Sequence, residues 1–320
     1  MIAIFTVALA AGAASALMFA SISSGAAISL PLAYFAPLPL MVVGLGWGPV
    51  AAAVGGIAAT GAMAIVLGWS HSIGFGLAVF LPAVWLGHLA LLGRPVATTA
   101  LVGNPTDLEW YPVDRILVWI VVIAILLATA ILLVFGTDAQ SIAETVRQLL
   151  REAMRGTDGN LTAEQIDQFA KLFAFLAPVA LPVNVIFWLT LNLWLAARVA
   201  RTSGRFHRPW PDLRSVALPP ITLVIMATAI AFCFVGGTVA MFATVIAMAL
   251  LLAYAIVGFA VLHILTLSAS NRVFWLASTY VLMFLFSGLI LLMTALGIAD
   301  AVFGLRQRYL QTRPPPLPAE

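Results

Sequence analysis

"PLPLMVVGLGWGPVAAAVGG", residues 37–56, sets two prolines, a Gly-x-Gly-x-Gly alternation and a Gly-Pro step inside a stretch without a charge. The first Asp, Glu, Lys or Arg of the chain is Arg94. At about 1.5 Å per residue, residues 1–93 would form a helix roughly 140 Å long, several times the ~30 Å hydrocarbon core of a bilayer. The breakers say where it divides. "SISSG" (21–25), "GLGWGP" (44–49) and "GWSHS" (68–72) cut it into spans near 3–22, 26–43, 49–68 and 73–93. Pro49 suits the first turn of a helix, where its missing N–H costs nothing. The quoted stretch therefore reads as a proline-bent second span and a tight hinge into the third.

Composition agrees. The chain is 63% hydrophobic and 8% charged, against roughly 25% charged in a soluble domain. That excludes a soluble globular protein and implies an integral membrane protein. The net charge of +3 comes from basic residues that are all Arg except Lys171, in connecting segments or near span ends. It speaks to topology and anionic lipid headgroups, not to nucleic acid. The single Cys233 lies in an apolar run, which excludes an internal disulfide. The N-terminus offers small-residue cleavage sites in "AGAASA", but it lacks a basic leader and the apolar sequence continues beyond it. A retained first span is expected.

A polar loop follows at 94–114, with Asp107, Glu109 and Asp114, and then a fifth span at 115–136. The insertion 137–172 holds "SIAETVRQLLREAMRG", which sets Ile142, Val146, Leu149 and Leu150 on one face and Arg147, Arg151 and Arg155 on another. It reads as an amphipathic helix along the membrane surface. Thr162 and Gln165 have capping-box spacing and start a helix. That helix leads into a sixth span at 173–199, bent near Pro178 and Pro182. Runs at 219–236, 239–267 and 274–297 complete one domain over 1–300, and 301–320 is a polar C-terminal tail whose end, "TRPPPLPAE" (312–320), is expected to be disordered. The expected fold is all-α, a polytopic transmembrane helix bundle of eight or nine spans with one or two amphipathic surface helices.

The arginines at 198, 201, 205, 208 and 214 should face the cytoplasm, which puts the N-terminus inside and 137–172 outside. Arg306, Arg308 and Arg313 also look cytoplasmic, yet three intervening spans would put them outside. Either one run after 219 is re-entrant or the basic tail breaks the rule.

Small residues recur every fourth position: Ala8, Gly12, Ala16 and Ala20 in the first span; Gly44 and Gly48 across the hinge; Ala52, Gly56, Thr60 and Ala64 in the third. Such ladders let helix backbones approach closely. They serve either packing within the bundle or docking of another membrane subunit. Among polar side chains within spans, Asn184 and Asn192 share a helix face with Trp188 between them. Two amides flanking an indole beside a proline bend offer donors, acceptors and a stacking surface for a small molecule. The alternative is hydrogen bonding that only fixes packing. His71, His88 and His263 are isolated and show no metal-ligand spacing. No HExxH, GxSxG, P-loop or CxxC motif is present, and Asp300 is the only carboxylate in or near the last apolar run. No enzyme, cofactor or metal is expected.

"LNLWLAARVARTSG" (191–204), "RPWPDLRSVALP" (208–219), "GFAVLHILTLSASN" (258–271) and "ALGIADAVFGLRQR" (295–308) together resemble the YybS-like family of bacterial membrane proteins, the domain of unknown function 2232. The residues that carry the likeness are Asn192, Gly258, Leu296, Gly297, Asp300 and Arg306, and it extends more loosely into the N-terminal third. The opening stretch is also similar to the substrate-binding (S) components of energy-coupling-factor vitamin transporters. That second resemblance implies a partner face at Ala8, Gly12 and Ala16, although the extra spans and the 137–172 insertion depart from the S-component pattern. Together they imply a multi-pass protein of the bacterial inner membrane, with an S-component-like core that binds or helps move a small solute. The alternative is a scaffold whose small-residue faces, at Ala8, Gly12, Ala16, Gly48, Ala52 and Gly56, recruit partners.

Overall fold

Of the breakers in residues 37–56, Pro37, Gly48 and Pro49 fall at helix ends. The computed structural model describes residues 2–26, 28–95, 108–154 and 162–312; Asp107, Arg155 and residues 313–320 lie outside them. Helix α1 spans Ile2–Ala20, α2 Ser29–Tyr34, α3 Pro37–Trp47 and α4 Pro49–Leu67. Pro37 and Pro49 each occupy the first position of their helix, so neither removes an intrahelical bond. Gly48 carries φ +97° between α3 and α4, a conformation only glycine adopts without strain. A side chain at Gly44 or Gly46 would meet only ordinary contacts. The chain breaks at Gly48, the last glycine of the alternation, and not at Gly44 or Gly46.

The protein divides into two compact units, Met1–Ile123 with Asn184–Pro211, and Ala124–Val183 with Asp212–Glu320. In the first, α1 packs on α4 and α3 packs on α6 (Leu81–Leu91), which continues α5 (Trp69–Phe75) through a five-residue π turn, Gly76–Phe80. Pro82 lies in the first turn of α6 and cannot supply the N–H a regular helix would use there, which is consistent with the wider turn before it. Strands β1 (Gly93–Pro95) and β2 (Leu108–Trp110) pair antiparallel and lead to α7, Val113–Phe135.

The second unit holds α8 (Ala139–Met154) and α10 (Ile221–Phe232) to α14 (Leu305–Thr312) by way of α11 (Gly237–Leu265), α12 (Arg272–Leu285) and α13 (Ile290–Phe303). The 40-residue α9, Ala163–Thr202, contributes its first part here and its second to the other unit. Thr162 and Gln165 form the reciprocal capping box at its start, at 2.8 and 3.2 Å. The apolar face of α8 is Ile142, Ala143 and Val146, buried in one cluster with Ala128, Leu132, Ala170, Ala174 and Ala177. Leu149, expected on that face, is half exposed. Its polar face is tied down by Arg147, which bridges Glu144 and Asp167.

The fold is an all-α polytopic bundle with, among the described residues, seven helices long and apolar enough to cross a membrane, or eight when α13 and α14, bent by 68°, count as one. Two of the nine runs marked in the sequence do not form a single long helix. The run 219–236 yields only the 12-residue α10, about 18 Å long. The run 274–297 is not one helix, because it breaks between Leu285 and Ile290.

Candidate functional site

The proline pair creates the acceptor around which the site is built. In a continuous helix the Tyr34 carbonyl would receive the N–H of Leu38. The chain turns before Pro37, whose ring does not continue a helix, and Leu38 N–H goes instead to the Phe35 carbonyl at 3.0 Å. Asn192, on α9, fills the vacancy. Its Nδ2 donates to the Tyr34 carbonyl and to the Trp188 carbonyl, both at 2.8 Å. Two carbonyl acceptors fix which end of the amide is nitrogen. The other end, Oδ1, is then buried with no partner among the described residues, on a side chain that is 0% exposed. An unpaired buried acceptor costs about 1–3 kcal/mol.

Around this amide stands an aromatic group. Trp188 stacks on Tyr34 at 4.5 Å and 8°, and meets Phe35 and Phe187 edge-on, both at 5.2 Å. Trp188 is half-buried and Tyr34 is exposed. Asn184 is also half-buried and has no hydrogen bond among the described residues. The structure thus brings Asn192 and Trp188 into one constellation and leaves Asn184 a turn away from it. The sequence did not single out Tyr34 or Phe35. The signal was available in their position just before Pro37, where a broken helix leaves a carbonyl to be claimed.

The small-residue positions divide by role. Ala8 and Gly12 are buried against α4. A Cβ on Gly12 would overlap the Gly55 carbonyl, and one on Gly55 would overlap that of Ala8. The critical partner on α4 is therefore Gly55, which the every-fourth-residue reading passed over. Ala16 is only half-buried. Ala52 is fully buried, and Gly56 lies under the Phe80 ring of the π turn, with no room for a Cβ. Gly48 is not a packing position, since a Cβ there would meet open space; it is a turn residue. Beside this face Ile57, Thr60, Gly61, Ala64, Ile65, Trp69, Ser72 and Phe80 line a groove of about 560 Å³. Both of its hydroxyls are satisfied, Thr60 by the Gly56 carbonyl and Ser72 by the Thr60 carbonyl.

His71 and His263 each donate Nδ1–H to the carbonyl four residues earlier, Leu67 and Phe259. No group of three or more His, Cys, Asp or Glu is placed to hold a metal among the described residues.

A family model described as "Predicted membrane protein (DUF2232)" matches residues 12–301. No curated protein and no solved structure matches the chain.

Proposed function

The chain belongs to the DUF2232 family of membrane proteins, and we propose that it serves there as a small-solute-binding or transport-associated component of the bacterial inner membrane, resembling an S component. The reading is carried by Asn192 Oδ1, a sealed acceptor with nothing to accept from. A solute that supplies an N–H or O–H to it and a flat apolar face to the Tyr34–Trp188 stack would satisfy the atom and extend the stack. Binding alone is assigned to these residues, with no catalytic step. The partner-recruiting scaffold has less support, because Ala8 and Gly12 face α4 of the same chain.

The test is solute retention through purification, read by native mass spectrometry, for Asn192→Leu and Trp188→Ala beside the unaltered protein. Loss of the hydrogen bond should weaken binding by about 1–3 kcal/mol, roughly five- to hundredfold. Equal retention in all three proteins would end the assignment. The same reading places the N-terminus and the arginine loop in the cytoplasm. Ser203→Cys in a Cys233→Ser background should be labelled by an impermeant thiol reagent only after cells are opened; labelling of intact cells would reverse the topology.

A further inference from the structure

We infer that the end of α9 and the loop after it form a binding site for the phosphate headgroup of an anionic phospholipid. The argument starts from how the helix stops. Gly204, at φ +68°, closes a Schellman motif in which its N–H reaches the Arg201 carbonyl at 3.0 Å and the Arg205 N–H reaches the Ala200 carbonyl at 2.9 Å. This sends Arg205 across to the end of α3, where its side chain lies beside Gly46 and its guanidinium sits 4.4 Å from the centre of the Trp47 ring. The loop is then anchored by Arg208, whose side chain is buried and donates to the Ala90 and Tyr111 carbonyls, both at 2.9 Å. Burial pushes the Arg208 pKa down, and its hydrogen bonds go to carbonyls alone. Arg208 is the anchor, not the ligand.

The anchored loop sets Trp210 beneath two further guanidiniums, Arg198 at 5.8 Å and Arg201 at 5.2 Å, while Arg198 also lies 5.8 Å from Trp194. Arg198, Arg201 and Arg205 are exposed. None of them pairs with a carboxylate among the described residues, although carboxylate pairs do hold Arg94, Arg147 and Arg306. Indole faces orient these cations without neutralising them, which leaves their N–H groups directed at an anion. The two non-bridging oxygens of a phosphodiester accept the paired N–H donors of such a planar fork. Tryptophan and arginine together at the end of a membrane-crossing helix fix the depth as the headgroup layer. Charge complementarity and depth both point to lipid. The solute site at Asn192 plays no part in this inference.

The experiment titrates the full-length protein in detergent with short-chain phosphatidylglycerol, short-chain phosphatidylcholine and inorganic phosphate, following tryptophan fluorescence. Phosphatidylglycerol should bind more tightly than phosphatidylcholine, and the preference should shrink as salt rises, since exposed charges are screened. Arg198→Gln with Arg201→Gln should reduce the preference by about fivefold per arginine, or about thirtyfold together. A preference insensitive to salt in the unaltered protein would overturn the inference, and that measurement needs no variant to fold. An undiminished preference in a folded double variant would do the same. Binding of inorganic phosphate as tight as that of phosphatidylglycerol would reassign the site to a soluble anion.

Discussion

Two helix crossings in this protein use the same device and differ in what surrounds it. In the first unit α1 meets α4 where Gly12 faces the Gly55 carbonyl; in the second α11 meets α13 where Gly258 faces the Met293 carbonyl and Gly297 that of Tyr254. Lipid gives no hydrophobic reward for helix association, so backbone approach through missing Cβ atoms is what holds each pair. The polar groups separate them. At the α11–α13 crossing Thr294 donates to the Leu251 carbonyl at 3.1 Å, and the Tyr254 and Thr222 hydroxyls meet at 2.7 Å. Asp300 takes three hydrogen bonds or ion contacts from Arg306. In the first unit Ser15 Oγ, Thr190 Oγ1 and Asn192 Oδ1 are buried without partners, while the second has only Arg272 Nε, among the described residues. One unit is closed on itself. The other keeps acceptors in reserve, and that is where function is best sought.

The largest effect should come from opening the closed unit. Asp300 and Arg306 are 7% and 11% exposed, and Arg306 Nη1 also donates to the Arg214 and Val216 carbonyls at 2.7 and 3.0 Å. Asp300→Ala strands a buried guanidinium and should cost about 3–5 kcal/mol. Thermal unfolding in detergent measures it, and a melting point unchanged by the substitution would remove this pair as the latch of the unit.

Next come the crossings themselves. Gly297→Leu and Gly12→Leu each force backbones apart, at about 1–3 kcal/mol for overpacking. Both should lower the melting temperature, with Gly297→Leu the more severe because its Cβ also crowds the Gly258 nitrogen. If Gly12→Leu leaves stability intact but strips a co-purifying subunit, the first crossing is an external face and the comparison fails.

A smaller effect separates the two amides. Asn192→Leu should lower stability by about 0.6 kcal/mol, the mean for polar contacts between membrane helices. Asn184→Leu, which removes no hydrogen bond among the described residues, should leave melting unchanged. Equal losses from both would mean that the amide bridge to Tyr34 is not what holds α9 to the end of α2.

How much of this was legible follows the kind of physics involved. Charge-free length and breakers gave the membrane bundle and the hinge at Gly48–Pro49. They marked two runs that do not form single long helices, because apolar composition does not reveal whether a run such as 274–297 stays helical. A lipid-facing helix has no apolar side to betray its register, which is why Gly55 was missed while Gly56 was named. Asn192 and Trp188 stood out as polar and aromatic groups within a span. Tyr34, Phe35 and the orphan carbonyl needed the fold, since a contact across 158 positions leaves no local mark.

The smallest effect lies on α8, which is not among the helices apolar enough to cross a membrane, and extends the comparison to pH. The Glu144 carboxyl is held below its usual range chiefly by the hydrogen bond from Arg147 at 2.9 Å, with Gln148 adding to it. Its pKa is lower in the folded protein than in the unfolded chain. The stabilisation is therefore fully present above the unfolded value near 4.5 and is lost as pH falls through the folded value. Because Glu144 is exposed, water and salt screen the pair and the loss should be slight. Hydrogen exchange on the α8 amides should quicken modestly as pH drops below about 4, after correction for intrinsic rates, while α1 and α4, which carry no charge at all, stay unchanged. Glu144→Gln should flatten the α8 response. The same acid response in the Gln variant would shift its origin to Asp138, whose carboxyl is held low mainly by the Ser141 N–H at the start of the same helix.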